Sequence, residues 1–299
     1  MANQSPHFER LKEAFGRIEK VLSVFPEDYQ RQLPVSRMAK VLEKERSAEG
    51  PTHLLFSVGS ILPFILQEEN TGADEKALLD YTSLLLFVYC SYALFDGILD
   101  ENQGVLLPAA LILFRDALFL GKEIGMEISD SLNTVEIYNV SPNSVPVGRV
   151  DMRRVSSLDE NWHRLQDGFS IAPAIVEHFV ASHIGKTHRD WAAFFNEYLI
   201  YRQLLDDCNG FVKDYGNGEL RSLGIAALMK CFPNREKVHL KNPLTAFRFQ
   251  LFVLRNLKTL YEGLMNRFYE RLARKGMAKQ EFLNLLKKLE KFLYVYIIE

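Results

Sequence analysis

Apolar residues recur at intervals of three and four along almost the whole chain, and no segment alternates strictly between apolar and polar residues. The first pattern is typical of an amphipathic helix, whereas a half-buried strand requires strict alternation. The sequence therefore predicts an all-α fold. The predicted helices, with ends placed to within about 2–4 residues, cover 7–25, 33–47, 53–69, 75–101, 105–125, 149–166, 170–184, 189–216, 219–231, 243–275 and 277–297.

Prolines, glycines and asparagines mark where these helices are expected to end. Pro26 and Pro34 interrupt the amino-terminal third, and Gly216-Asn217-Gly218 ends the helix predicted over 189–216. The segment 138–148 is rich in Pro, Asn and Ser and has little periodicity, which predicts a long surface loop. An ordinary connection is the preferred interpretation of that loop, and a lid over a binding site is the alternative.

The composition is that of one soluble globular domain. The chain has 299 residues, of which 47% are hydrophobic and 25% charged, which is enough to bury a large core. A single domain covering 1–299 is therefore expected. The net charge of −2 leaves no basic field to attract nucleic acid, so a nucleic-acid partner is not expected.

Cysteine usage and the amino terminus favour a cytoplasmic protein. The three cysteines, Cys90, Cys208 and Cys231, are odd in number and widely separated, as in a reduced chain. The first ten residues lack the apolar core of a signal peptide. The longest apolar stretch, Leu84–Phe95, falls short of the roughly 20 residues that cross a bilayer. It predicts a buried helix, and no transmembrane segment is expected.

Two clusters of acidic residues each end a strongly apolar, helix-periodic run. Asp96 and Asp100 are four residues apart, and so are the successive positions Asp206, Gly210 and Asp214. Each set therefore shares one helical face. Carboxylates that lie close together in a partly buried environment of low dielectric constant repel one another strongly. A cation is therefore expected between the two clusters. Mg²⁺ is the usual choice, because it prefers oxygen ligands and keeps positions open for phosphate oxygens.

The segments before the two clusters predict the wall of a cavity. The run before Asp96 is almost uncharged, and the helix before Asp206 is rich in aromatic residues. Most of these side chains are expected in the core. Those on the acid-bearing faces, which include Tyr89, Tyr92, Phe195 and Tyr198, are candidates for lining a deep apolar pocket with a metal-binding mouth.

The acidic clusters resemble the metal motifs of class I terpene synthases. Asp206-Asp207-x-x-Gly210-x-x-x-Asp214, with Lys213 before the last acid, resembles the second motif of that family. That motif reads Asn/Asp-Asp-x-x-Ser/Thr/Gly-x-x-x-Glu/Asp. Asp96-x-x-x-Asp100-Glu101 is similar to the first, aspartate-rich motif.

A third motif lies between the two clusters. Arg164-Leu165-Gln166-Asp167-Gly168 resembles the diphosphate-sensing Arg, linker Asp and effector Gly of bacterial terpene cyclases, the most similar members of the family. The resemblance covers roughly 85–220 by motif, and outside that range it depends on helical character alone.

The resemblance implies a single large antiparallel helical bundle around a deep apolar pocket, and a homodimer is common among such enzymes. It implies ionisation of a linear prenyl diphosphate with Mg²⁺, three ions being bound with the diphosphate. Asp96 and Asp100 would hold two ions and Asp206 and Asp214 a third, with water at Gly210. Arg164, Lys213 and either Arg153 or Arg154 would bind the diphosphate. Asp167 and Gly168 would couple diphosphate sensing to a helix break, and Asp207 would support the neighbouring ligands through a salt bridge or hydrogen bond. The residues implied to line the pocket are Tyr89, Tyr92, Phe169, Phe195 and Tyr198.

The chain departs from the family pattern in three places. Gly97 replaces the second Asp of the first motif, and Gly210 supplies no hydroxyl to a metal. The Arg-Tyr pair that many bacterial cyclases have near the carboxyl end is absent from the sequence. Tyr294-Val295-Tyr296 stands there instead, after Lys287, Lys288 and Lys291, which are interpreted as a solvated helix face.

Two other functions remain open. Gln203-Leu204-Leu205-Asp206-Asp207 is similar to the Phe-Gln-x-x-Asp-Asp motif of chain-elongating prenyltransferases, although Arg202 replaces the Phe. Against condensation, no pair of arginines closely follows Asp100, and the nearest is Arg153-Arg154. The second alternative is a catalytically inactive helical scaffold that keeps its acids only as a charged patch.

A histidine metal site is disfavoured by spacing. His178, His183 and His188 recur every five residues, and on an α-helix each is rotated by about 140° from the last. They are therefore not expected to share one ion. The sequence has no Ser-His-Asp elbow, phosphate-binding glycine loop or Cys-x-x-Cys pair.

Overall fold

The computed structural model describes residues 6–33, 51–100, 103–126, 171–217 and 243–294. Most of these residues are helical and none of them forms a strand, which confirms the all-α prediction. Their α-helices are α1 (Pro6–Leu22), α2 (Glu27–Gln30), α3 (Pro51–Glu68), α4 (Glu75–Asp100), α5 (Leu107–Glu123), α6 (Ile171–Phe179), α7 (Trp191–Asn217), α8 (Pro243–Arg274) and α9 (Lys279–Leu293). A 3₁₀ turn at Gly104–Leu106 precedes α5, and a π-helix at Val180–Ile184 follows α6.

The predicted helix 7–25 is confirmed to within three residues at its end. Helix α1 stops at Leu22, and the Ser23 hydroxyl donates a hydrogen bond to the Lys20 carbonyl. The short helix α2 begins directly after Pro26, whose carbonyl accepts bonds from the next turn. The other predicted helices in the described ranges agree with α3 to α9 to within a few residues. The predicted helices 149–166 and 219–231, the helix 33–47 beyond Leu33, and the loop 138–148 lie outside the described residues.

The chain divides into two compact units. Among the described residues, the first unit comprises those up to 126 together with 171–196 and 283–294. The second comprises 197–217 and 243–282. The chain therefore passes from one unit to the other within α7 and again within α9. One domain over 1–299 stays a prediction.

Helix α4 is the central element of the first unit, where it packs against α1, α3, α5 and α6. Leu84, Leu86, Cys90 and Leu94 are fully buried along it. This environment confirms that Leu84–Phe95 is a buried helix, and its near absence of charge explains why neighbours can cover it on several sides.

Close packing of α1 on α3 depends on a glycine. A Cβ atom built on Gly59 would collide with the side chain of Leu11, which is itself buried. Pro63 follows one turn later inside α3, and its missing N–H leaves the Gly59 carbonyl without the usual helical bond. Gly59 therefore allows the two helices to approach closely one turn before the proline.

A buried carboxylate joins α1 to α4 in the same unit. Asp80 accepts a hydrogen bond from Arg17 at 2.7 Å and one from Lys76 at 2.6 Å. Burial alone would raise the pKa of Asp80, but these bonds and the two positive charges outweigh it, so the pKa lies below its ordinary value. The carboxylate is therefore stable in its charged form within the helix contact.

The second unit contains a cluster of three aromatic rings from three helices. The Phe268 and Phe282 ring centroids lie 5.3 Å apart, and Tyr201 lies 5.8 Å from Phe268 and 5.7 Å from Phe282. Edge contacts of this kind stabilise a core beyond the area that they bury. The cluster joins α7, α8 and the start of α9.

Two helical windows within the described ranges are long and apolar enough to cross a membrane by length and composition. Glu75–Phe95 is 72% buried inside the protein, whereas Gly104–Glu123 is 33% buried. A buried core helix passes the same test, and most of the first window is buried. The second is the more apolar of the two and the less covered.

Candidate functional site

The first acidic cluster lies at the carboxyl end of α4. Asp96 and Asp100 occupy its last two turns, and the helix ends at Asp100 without a basic residue in its last turn. The carboxyl end of a helix carries partial negative charge. The aspartates add to that charge, so this end favours a cation. Their side chains lie outside the described part of the structure.

The second acidic cluster lies at the carboxyl end of α7. Asp206, Gly210 and Asp214 stand on successive turns of one uninterrupted helix, which ends at Asn217 as the glycines around it predict. The last turn again contains no basic residue. The side chains from Asp206 onward, including Asp207 and Lys213, lie outside those that the structure describes.

Several other long helices are neutralised at their carboxyl ends in the usual way. Each of them carries Lys or Arg in its last turn, where a positive charge is stabilised by the helix dipole. These helices are α1 with Lys20, α5 with Lys122, α8 with Arg271 and Arg274, and α9 with Lys291. The ends of α4 and α7 lack such a residue. The end of α3 at Glu68 also lacks one, but the Glu68 carboxylate is paired with Lys288 from α9.

The candidate pocket-lining aromatics have two kinds of environment. Tyr89 and Tyr92 on α4 are half-buried. Phe195 and Tyr198 on α7 are buried, as expected for side chains packed between helices. Tyr89 and Tyr92 thus keep accessible surface close to the first acidic cluster.

A buried ion pair fixes α7 upstream of the second cluster. The guanidinium of Arg271 donates to both carboxylate oxygens of Glu197 at 3.0 Å, and Lys275 Nζ donates at 2.8 Å. All three residues belong to the second unit. Sequence reasoning missed this pair. The sequence does contain one indication of it. Glu197 is an acidic residue within an aromatic-rich segment, and a buried charge requires a partner of opposite charge.

The third motif falls outside the described residues. Arg164, Asp167, Gly168 and Phe169 lie there, as do Arg153 and Arg154. Their predicted roles in diphosphate binding and sensing therefore stay predictions.

Two of the three histidines meet on one tyrosine. The Tyr81 hydroxyl lies 2.5 Å from Nδ1 of His178, and the Tyr81 ring centroid is 5.8 Å from that of His178 and 5.4 Å from that of His183. The π-helix at Val180–Ile184 closes i to i+5 bonds. The rotation of 140° expected for an α-helix therefore does not apply between His178 and His183, and both rings reach Tyr81.

No group of three or more His, Cys, Asp or Glu side chains could hold a metal ion among the residues searched, which exclude the side chains of both acidic clusters. No protein-family model, curated protein sequence or solved structure matches the chain. The function has to follow from the residues themselves and from their places on the helices.

Proposed function

We propose that this protein is a Mg²⁺-dependent class I terpene synthase. It would ionise a linear prenyl diphosphate, release pyrophosphate and cyclise the carbocation to a terpene hydrocarbon or alcohol. The observation that carries the proposal is the placement of both acidic clusters. Each ends a long helix whose last turn contains no basic residue, and the order and spacing of the acids resemble the metal motifs of this family.

The donor set suits Mg²⁺. Asp96 and Asp100 would hold two ions and Asp206 and Asp214 a third, with a water molecule in the place of a side chain at Gly210. Carboxylate oxygens are the ligands that this ion prefers, and the partial charge of a helix carboxyl end adds to their attraction. When bound, the ions supply positive charge that neutralises the departing diphosphate.

Basic side chains would hold the leaving group. In the proposal Arg164, Lys213 and either Arg153 or Arg154 bind the diphosphate oxygens. Donors fixed before the reaction stabilise the developing negative charge without reorganising. Asp167 and Gly168 would couple this binding to the helix break, and Asp207 would support its neighbours through a hydrogen bond or salt bridge.

Aromatic side chains would line the pocket at the centre of an antiparallel helical bundle. The faces of Tyr89, Tyr92, Phe169, Phe195 and Tyr198 are the proposed contacts with the hydrocarbon. A cation near such a face is stabilised by about 0.5–2 kcal/mol. Exclusion of water by the same side chains favours cyclisation over quenching.

Incubation with prenyl diphosphates of ten, fifteen, twenty and twenty-five carbons tests the proposal. Each substrate is offered alone with Mg²⁺, and the organic extract and the released pyrophosphate are measured. The proposal expects a cyclic product and pyrophosphate from one substrate alone. Condensation of prenyl units, the alternative within the superfamily, expects turnover only when a second isoprenoid is added. No turnover under either condition favours the scaffold.

Three matched Asp→Asn variants assign the site. Asp96→Asn and Asp206→Asn should abolish turnover with unchanged helical content. Asp28→Asn changes the same group at an exposed position on α2 and should keep full activity. Full activity in the first two variants would refute the metal assignment.

A further inference from the structure

The amino end of α5, together with the turn before it, presents apolar side chains to solvent. Val105, Leu107 and Leu111 are 50%, 43% and 53% exposed. The segment from 104 to 114 contains no Asp, Glu, Lys or Arg. It opens the more apolar of the two candidate membrane windows, of which only 33% is buried. We call residues 104–111 the α5 tip. An exposed apolar patch of this kind usually marks a surface that contacts a partner or a lipid.

The backbone of the α5 tip finds hydrogen bonds inside the protein. The N–H groups of Leu106 and Leu107 each donate to the carbonyl three residues earlier, and Pro108 has no N–H. The Tyr29 hydroxyl from α2 donates to the Val105 carbonyl at 2.7 Å. A helix that starts in water usually has a polar side chain as its cap, whereas no side chain caps α5. These backbone groups are therefore satisfied without water, as contact with lipid requires.

The charged residues of α5 lie behind the α5 tip. Arg115 and Asp116 are the first of them, and Lys122 and Glu123 follow near the other end. At 1.5 Å per residue, Arg115 stands about 12 Å from Leu107 along the helix axis. An apolar element docked on a lipid surface is buried by about 5–10 Å. If α5 enters end-first, its uncharged part lies in the apolar layer and Arg115 lies among the head groups, where a long basic side chain is favourable.

The charges on the neighbouring helices favour a neutral lipid over an anionic one. Helix α2 carries the exposed acids Glu27 and Asp28, and Arg31 pairs with both of them. Helix α4, which precedes the α5 tip, ends at Asp100 without a basic residue in its last turn. Neither neighbour therefore supplies, at this end, the excess of Lys and Arg that attracts anionic head groups. The apolar contact itself has to provide the binding.

We infer that the α5 tip inserts into the surface of a neutral lipid bilayer, with the charged half of α5 outside the apolar layer. The contact is peripheral and does not span the bilayer. This docking does not depend on the proposed function. One consequence does depend on it: Gly104 follows Asp100 by four residues and lies within about 14 Å of it. The first acidic cluster would then stand at the lipid surface, into which the prenyl chain of a substrate partitions.

Flotation with vesicles of phosphatidylcholine alone tests the inference. The wild type should float with the vesicles at about 0.1 M and at about 1 M salt, because salt does not screen an apolar contact. Leu111→Asp should lower the partition coefficient about tenfold or more, since it removes apolar contact and adds a charge. Phe119→Asp is the matched control, because Phe119 is exposed on the same helix but lies beyond Arg115, and it should keep most of the binding. A wild type that does not float, or that binds only anionic vesicles and leaves them in salt, overturns the inference. Equal losses in the two variants also overturn it.

A polarity-sensitive dye gives a second measurement that does not require a charge in the α5 tip. The dye is attached through Val105→Cys or Phe119→Cys in a chain that also carries Cys208→Ser and Cys231→Ser, and the buried Cys90 stays unlabelled. Addition of the same vesicles should shift the emission of the dye at position 105 to the blue and leave that at position 119 unchanged. Equal shifts at both positions, or none at position 105, overturn the inference. Circular dichroism of each variant checks that the helices are retained.

Discussion

Glu197 and Arg271 form a two-point ion pair inside the second unit. Nε and Nη2 of Arg271 donate to different oxygens of Glu197, each at 3.0 Å, and the Glu197 side chain is 1% exposed. Both carboxylate oxygens are therefore satisfied where water is excluded. The pair holds α7 against α8 before α7 continues into the second acidic cluster.

Removing Arg271 should destabilise the protein strongly, because the buried Glu197 carboxylate would lose its two-point partner. We expect Arg271→Leu to lower the free energy of unfolding by about 3 kcal/mol, the low end for a broken buried pair, since Lys275 remains. Arg274→Leu, the same change at an exposed position of α8, should cost less than about 0.5 kcal/mol. Urea denaturation measures both. Equal losses would mean that the pair does not stabilise the unit.

Two glycines in helices should respond to alanine in opposite directions. Gly59→Ala places a methyl group against Leu11 and should lower the free energy of unfolding by about 1–3 kcal/mol through overpacking. Gly16→Ala meets no atom within 4 Å and should raise it by roughly 0.5–1 kcal/mol through helix propensity. Thermal unfolding distinguishes the signs. A stabilising Gly59→Ala would contradict the close approach of α1 and α3.

The Asp80 carboxylate should make stability fall in acid. Its folded pKa is held below the ordinary value of 3.8 by Lys76 and Arg17, against the opposing effect of burial. Its contribution is therefore complete above pH 3.8 and is lost as the pH falls from there through the folded pKa. Asp80→Asn should cost roughly 1–3 kcal/mol at pH 7, and the deficit should shrink below pH 4. Urea unfolding of both proteins across this range measures it, and a deficit that grows in acid would contradict the assignment.

The Cys90 thiol should be inert in the folded protein. Burial raises its pKa to about 12, so the thiolate fraction at pH 8 is roughly one in ten thousand. In a Cys208→Ser, Cys231→Ser variant, labelling by a thiol reagent should follow the urea unfolding curve. Prompt labelling in buffer would show that α4 is less buried than described.

The long central helices could be predicted because their signals are local. Helix α4 was expected over 75–101 and is observed at Glu75–Asp100, and α7 was expected over 189–216 and is observed at Trp191–Asn217. In both helices the apolar residues recur at helical intervals, and a cluster of polar residues or glycine marks where the helix ends. Helix α1 ends at Leu22, three residues before its predicted end, because apolar Val24 and Phe25 continue the sequence pattern beyond the last helical turn.

The missed features depend on contacts that a sequence pattern does not contain. Glu197 and Arg271 are far apart in the chain, and nothing near either residue identifies the other. The π-helix before Gly185 continues the helical pattern of α6, and only its bonding reveals the change. Helix α5 has the apolar residues of a core helix, and periodicity alone does not say that its neighbours leave Leu107, Leu111 and Phe119 exposed.

Thermal unfolding with Mg²⁺ and pyrophosphate tests the central claim most directly, since the proposed ions and diphosphate would bind the same two acidic clusters. At ligand concentrations about a hundred times the dissociation constant, we expect the wild-type midpoint to rise by roughly 5 °C with both ligands together. Asp96→Asn and Asp206→Asn should lose this shift, and Asp28→Asn should keep it. An unchanged wild-type midpoint, or an equal shift in all three variants, would contradict the account.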